Sequence, residues 1–441
     1  MLKTQKGGKD LKKRRDDDIS LLGRATVSAR GTIGKIRSKK LLSSFWARQR
    51  RLASYEGSES SEEAKLSFGF SIARIASVVL LVILLLTTLL FSSGGISYEQ
   101  IYYMLKDIGY IKTYGESAPS SLNYSMPVQN QEHTVFKNGL AVAGDSEIKL
   151  FTSTGRVTLT EGSEFTNPRM CSSDEYLLIY DQGRQGYALY NSFIALRREK
   201  TDYPISLADM AENGGYLIVT SSSTYTSVVR IFNSAFEPIC EYQKNDRVIS
   251  AALSSDGRYA AVLSLSAQGG EALSTLSVID SKTENVKYSA SFEGSMPYVC
   301  DFLNDDRVVV ILGDKVTVFD KNGNQRSEYA YPGELSRFDI RGDRLALLFK
   351  GEESGANGTA VIFDVNGTPV ITTTVDFSVR DMRLGDGAVY FLSSNEVVRM
   401  STSIGGVSRA DADGDKAGLL VFSDGRVVLC TQSVAKYISF D

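Results

Sequence analysis

Histidine is almost missing from this chain: His133 is the only one in 441 residues. That count excludes a zinc site built on several imidazoles. A Ser-His-Asp or Cys-His arrangement would have to use His133, and no G-x-S-x-G elbow accompanies it. We read His133 as structural and name no catalytic residue, so the sequence points away from an enzyme. Cysteine is scarce as well. Cys171, Cys240, Cys300 and Cys430 lie far apart, with no C-x-x-C pair. Their spacing points to buried free thiols and away from metal or redox chemistry. Tryptophan occurs once, at Trp46.

Charge is unevenly placed. Residues 1–74 carry 18 Lys/Arg against 8 Asp/Glu, whereas residues 75–441 carry 31 against 44. A basic head and an acidic body imply two environments. Between them, "FGFSIARIASVVLLVILLLTTLLFSS" has no charge from Ile75 to Phe91. Extended back to Phe68, it reaches the roughly 20 residues a helix needs to cross a bilayer. It starts too late, and its apolar core is too long, for a cleaved signal peptide. We predict one transmembrane helix over 68–92. The Lys/Arg excess before it puts the N-terminus in the cytoplasm and the body outside the cell membrane.

The tail, 1–67, is poor in large apolar residues and reads as mostly disordered. Within it, "KKLLSSFWARQRRLASY" sets Trp46 on an apolar helical face, with Arg48, Arg50 and Arg51 elsewhere. This pattern suits the anionic inner leaflet, and it serves equally to enforce topology. Residues 93–118 read as a juxtamembrane helix and linker, with Tyr98, Ile101, Tyr102 and Leu105 at helical spacing. No nucleic-acid partner is predicted.

The body repeats. A polar corner followed by an apolar strand occurs as "KNGLAVAG", "SDEYLLIY", "NGGYLIVT", "SDGRYAAVL", "NDDRVVVIL", "RGDRLALLF", "GDGAVYFL" and "SDGRVVLC". These strands start at Leu140, Tyr176, Tyr216, Arg258, Arg307, Arg344, Ala388 and Arg426, about every 40 residues. A second marker follows each corner: a strand ending in an apolar residue, then a polar turn former. It falls at Phe151-Thr152, Tyr190-Asn191, Phe232-Asn233, Ile279-Asp280, Phe319-Asp320, Phe363-Asp364, Met400-Ser401 and Phe440-Asp441.

Four antiparallel strands per repeat describe a β-propeller blade. Both markers in register predict an all-β, eight-bladed β-propeller over 119–441; seven blades follow if a terminal unit is a false match. The eighth unit stops after its third strand, and an open edge invites aggregation. "SLNYSMPV", Ser121 to Val128, has the alternation to supply the missing strand, and "EHTVFKN" supplies the inner strand of the first blade.

With Trp46 outside the body, the tryptophan-bearing motifs of WD repeats, quinoprotein dehydrogenases and sialidase-type Asp boxes are excluded. "DADGD" places Asp411, Asp413 and Asp415 as alternating oxygen ligands for calcium. The twelfth-position Glu of an EF-hand is replaced by Phe422, so other ligands or a plain acidic loop must be weighed. No other cofactor is implied. The basic tail, apolar span and repeats such as "SSDGRYAAV" and "VFDKNGN" resemble the membrane-anchored β-propeller proteins of Gram-positive bacteria, clostridia above all. That family is classed as a domain of unknown function, within the broad WD40/quinoprotein-like propeller class. The resemblance implies a cell-surface location and no known reaction.

Propeller geometry sorts the loops. Corners between first and second strands share one face with turns between third and fourth strands. Loops between second and third strands share the other with the blade connections. The second face carries long stretches, "SLSAQGGEALST" and "KGEESGANGTA", and offers Tyr203, Tyr298, Tyr329 and Tyr331 as binding residues. The leading expectation is a non-enzymatic scaffold for an envelope protein or cell-wall polymer. An exported enzyme or small-ligand binder using the channel is the alternative, favoured if carboxylates converge on the axis. An adhesin using Arg341-Gly342-Asp343 is the third, though that tripeptide sits at a blade corner.

Overall fold

The computed structural model describes residues 119–125, 130–351, 358–385, 387–402, 406–412 and 418–440, with Ala73, Arg74, Ser77, Val78, Leu80 and Leu81. From 119 onward the described residues form eight four-stranded antiparallel sheets. Blades 1 to 7 span 131–162, 168–200, 205–244, 247–293, 297–330, 335–375 and 381–411, each a simple meander from inner to outer strand. Blade 8 takes three strands from 418–438 and its outer strand from Ser121–Asn123. The eight-bladed, self-closing ring expected from the repeats is what forms. Second strands begin at Gly139, Leu177, Tyr216, Tyr259, Arg307, Arg344, Ala388 and Val427, each within one residue of its sequence-based start.

Local chemistry explains why both markers recur. At the turns between third and fourth strands, one polar side chain accepts the amides that the bend leaves unpaired. Asp320 accepts from Asn322 N (2.8 Å) and Asn324 N (2.9 Å), and Asp364 accepts from Asn366 N and Thr368 N (both 2.9 Å). Asn233 and Thr152 do the same for their own turns. A bulge precedes the apolar junction residue in blades 1 to 6, for example between Val318 and Phe319. The side-chain bond from Asn324 holds the Asp320 carboxyl well below the usual carboxylate range. Gly323 (φ 84°) and Gly367 (φ 75°) take the left-handed position these turns require.

Closure rests on a short seam. Ser121, Leu122 and Asn123 pair with Lys436, Ala435 and Val434. Tyr124, 2% exposed, follows as an anchor. Its amide donates to Ser433 O (2.9 Å), its hydroxyl donates to Thr431 O, and Lys149 Nζ donates to its carbonyl (2.9 Å). Eight apolar clusters fill the ring, one in each seam between neighbouring blades. The four cysteines are free, and Cys240, Cys300 and Cys430 are buried.

Two features differ from the sequence reading. "SLSAQGGEALST" is not a loop: the strands Tyr259–Gln268 and Glu271–Asp280 run through it, closed by Gly269-Gly270. Alternation carries on through Leu265 and Leu273, and both glycines have positive φ in open space, so a tight turn replaces a long loop. In blade 8, Val427 pairs with Ile438, not Phe440. The fourth strand of this sheet is Ser121–Asn123, from the other end of the repeat, so the junction residue of the other blades is matched here by Ile438.

The chain divides into two units, 1–97 and 98–441. In the first, the six described residues are helical. Ser77 Oγ donates to Ala73 O one turn back (2.8 Å), and Val78, Leu80 and Leu81 are exposed. Among the described residues no helix is long and apolar enough to cross a membrane. Most of 68–92, all of 93–118, and Trp46, Arg48, Arg50 and Arg51 lie outside them.

Candidate functional site: the axis and the loop face

The inner edge of each blade exposes backbone groups that need partners. Here the side chains of one inner strand satisfy the next blade. Asp209 (blade 3) accepts from Leu253 N (2.8 Å), Asp339 (blade 6) from Leu384 N (2.6 Å), and Asp381 (blade 7) from Leu419 N (3.1 Å). Cys171 Sγ donates to Ala208 O (3.1 Å), and Ser250 bonds both the N–H and C=O of Cys300. Arg337 donates to Arg380 O (3.0 Å) and Arg383 to Leu419 O (3.2 Å).

Register sorts the charged residues. Asp209 and Asp301 pair with Leu217 and Val309, the second partnered residue of each second strand, and Asp339 and Arg383 pair with Ala346 and Tyr390, the third. The three carboxylates lie close enough on the axis for Asp209 and Asp339 to act on Asp301, and Arg383 bonds Asp339. Asp301 is hemmed in by Asp209 and Asp339. Burial, then the Asp209 charge, pushes its carboxyl up to about 7. Burial pushes Asp209 up to about 6 and also raises Asp339, which Arg383 bonds (3.3 Å). Nearer the loop face, Glu132 accepts from Arg169 Nη1 (2.8 Å), and burial still raises its carboxyl. Such an axis can hold a proton or attract a cation. Among the described residues no group of His, Cys, Asp or Glu has metal-binding geometry. Asp411 ends the outer strand of blade 7, while Asp413 and Asp415 lie outside the described residues.

On the loop face the four tyrosines separate. Tyr298 is 48% exposed, beside the equally open Met296. Tyr329 packs edge-on against Phe363 (5.1 Å), and Tyr331 lies 5.1 Å from Phe349 with its buried hydroxyl unpartnered. Those two rings serve the seam of blades 5 and 6. Tyr203 is half-buried in the blade 2–3 connection, its carbonyl accepting from Thr201 Oγ1 (2.6 Å). The connection bearing Met296 is tied to the long hairpin of blade 4 by Gly294 N to Ala272 O (2.8 Å) and Ser274 Oγ to Ser295 O (2.6 Å). The hairpin and this apolar pair make one raised feature.

The opposite face is occupied by itself. Asn213 N donates to Ser255 O (3.1 Å), Ser255 N to Asp305 (2.8 Å), and Asn304 N to Gly342 O (3.2 Å). Arg341 turns toward the axis and donates to Leu384 O and Val421 O, both at 2.9 Å. The R-G-D guanidinium is thus held by blades 7 and 8.

Sequence reasoning missed the axial carboxylates and the Tyr124–His133 contact. The axial carboxylates do leave a trace: an Asp, an apolar residue and then the corner, in "ADMAENGGY", "CDFLNDDR" and "FDIRGDR". The His133 Nε2 lies 3.0 Å from the Tyr124 hydroxyl.

Solved structures are similar to this chain. BamB from Moraxella catarrhalis is similar at a TM-score of 0.50 and 12% identity, covering 74% of this chain and 99% of that one. The β-propeller domain of Cps50 (Swd1) from Myceliophteria thermophila gives 0.43 and 12%, over 62% and 96%. Hydrazine synthase of Kuenenia stuttgartiensis gives 0.43 and 11%, over 66% and 99%. None of the curated proteins matches the chain by sequence. The family of unknown function DUF5711 matches residues 117–438, and the chain belongs to that family.

Proposed function

We propose that the protein is a membrane-anchored, cell-surface propeller that binds an envelope protein or cell-wall polymer through its loop face. The apolar span 68–92 is the anchor, with the basic tail in the cytoplasm against the anionic inner leaflet and the propeller outside. Residues with exposed apolar side chains on helical backbone, Val78, Leu80 and Leu81, support the anchor.

The observation that carries the binding role is the asymmetry of the two faces. One face bonds its corners to each other; the other raises the blade 4 hairpin beside the exposed Met296 and Tyr298. Exposed apolar side chains on a rigid support are where partners dock. A second reading, a small-ligand binder using the channel, is favoured by the three carboxylates that act on one another at the axis.

In-cell cross-linking of full-length protein tests the first reading. Replacing Ser266–Leu273 by a tight turn, together with Met296→Asp, should abolish the cross-linked partner, while Asp343→Ala should leave it. Retention of the partner by the hairpin variant would overturn the loop-face assignment. Protease accessibility on intact cells tests the anchor: the body should be cleaved and the tail protected.

A further inference from the structure

Pro297–Phe302 of blade 5 and Leu335–Arg341 of blade 6 make the sparsest approach among the described pairs of neighbouring inner strands. Axial bonding fails at the same place. Asp209 and Asp339 each reach the next blade's amide, but Asp301, at the register position of Asp209, accepts from its own neighbour Phe302 (2.7 Å).

The charges around Asp301 explain the failure. Blade 3 presents Asp209 and blade 6 presents Asp339, both of the same sign. The cations point elsewhere: Arg341 to carbonyls of blades 7 and 8, Arg337 to Arg380 O, Arg383 to Asp339 and Asp381, and Arg307 to Asn366. Arg247, on the inner strand of blade 4, is exposed at the far end of that strand. The rest of the seam is apolar, including Leu303, Val309, Leu345 and Phe349. An ionised carboxylate half-buried beside two others, and with no cation aimed at it, is best relieved by a proton.

We infer that the seam between blades 5 and 6 is a proton-operated joint: protonation of Asp301 closes it on the axis, and ionisation loosens it. The carboxyl's upward shift to about 7 puts the transition near neutral pH. The sign is fixed by linkage. The closed seam binds the proton more tightly than an open, hydrated one, so closure is favoured at low pH, weakens as pH rises toward about 7, and is level above that. This inference does not depend on the loop-face reading.

Hydrogen exchange of the full-length protein in detergent, corrected for intrinsic rates, tests it. Between pH 5 and 7 the amides of Leu335–Arg341 should lose about tenfold in protection, then level off, while those of Gly418–Val421 hold steady. Asp301→Asn should keep the first set protected throughout. Flat protection in the wild type overturns the joint without reference to any variant. So does equal loss in all inner strands, or a variant that tracks the wild type.

Discussion

The Tyr124 hydroxyl donates its one proton to the Thr431 carbonyl, so the His133 Nε2 at 3.0 Å must donate to it. This fixes the imidazole as the Nε2–H tautomer. Three parts of the ring meet there: the inner strand of blade 1, the closing segment and the last turn of blade 8. Tyr124→Phe keeps the ring packing and removes both bonds. It should lower unfolding free energy by about 1–2 kcal/mol in urea titrations. An unchanged midpoint would show that closure does not depend on the hydroxyl.

His133 also predicts a pH dependence. Burial lowers its pKa to about 4, below the ordinary 6.5. As pH falls below about 6.5 the unfolded chain takes up the proton first, so stability is lost progressively toward about 4. Gln retains a donor and does not titrate. The stability advantage of wild type over His133→Gln should therefore shrink between pH 7 and pH 4.5, and comparing the two cancels contributions from Asp301.

Two glycines with similar backbones should respond differently to alanine. At Gly367 (φ 75°) an added Cβ would meet Ser327 Oγ at 2.0 Å and Val318 Cγ2 at 2.7 Å. At Gly342 (φ 57°) it would meet nothing within 4 Å. Gly342→Ala should cost about 1 kcal/mol, the left-handed penalty alone, and Gly367→Ala about 2–4 kcal/mol. Thermal melts of both variants check the ordering.

The R-G-D corner gives the fourth prediction. Arg341→Ala leaves two axial carbonyls without their shared donor and should cost about 1–3 kcal/mol. Asp343, exposed and paired only with Arg344 at 3.7 Å, should be replaceable by Ala within about 0.5 kcal/mol. Equal effects would contradict an architectural role for the tripeptide.

Blade count and strand starts were legible because every corner and every turn solves its own local problem. A side chain such as Asp320 must cap its own turn, and a glycine must take positive φ where the chain bends, so both leave residue-level marks. The axial carboxylates left only the faint "Asp, apolar, corner" trace. Asp209, Asp301 and Asp339 look like ordinary polar positions in alternating strands. What makes them neighbours is register, shifted by bulges such as those between Pro297 and Val299 and between Leu335 and Arg337. The long hairpin was misread for a related reason: a Gly-Gly pair marks a bend without revealing how far pairing continues on either side. Tyr329 and Tyr331 could not be told from Tyr298, because alternation does not show which blade a ring will lean on.

The closing strand sets the order in which this molecule can be made. Tyr124 and Thr431 are 307 residues apart, and their contact completes the ring. Seven blades can form as they emerge, whereas the strand Ser121–Asn123 must wait unpaired until Val434–Lys436 is available. For a chain delivered N-terminus first, that strand is an exposed edge while all seven intervening blades are made. Three residues are a short edge, and its brevity limits how long a mispairing template the waiting chain presents.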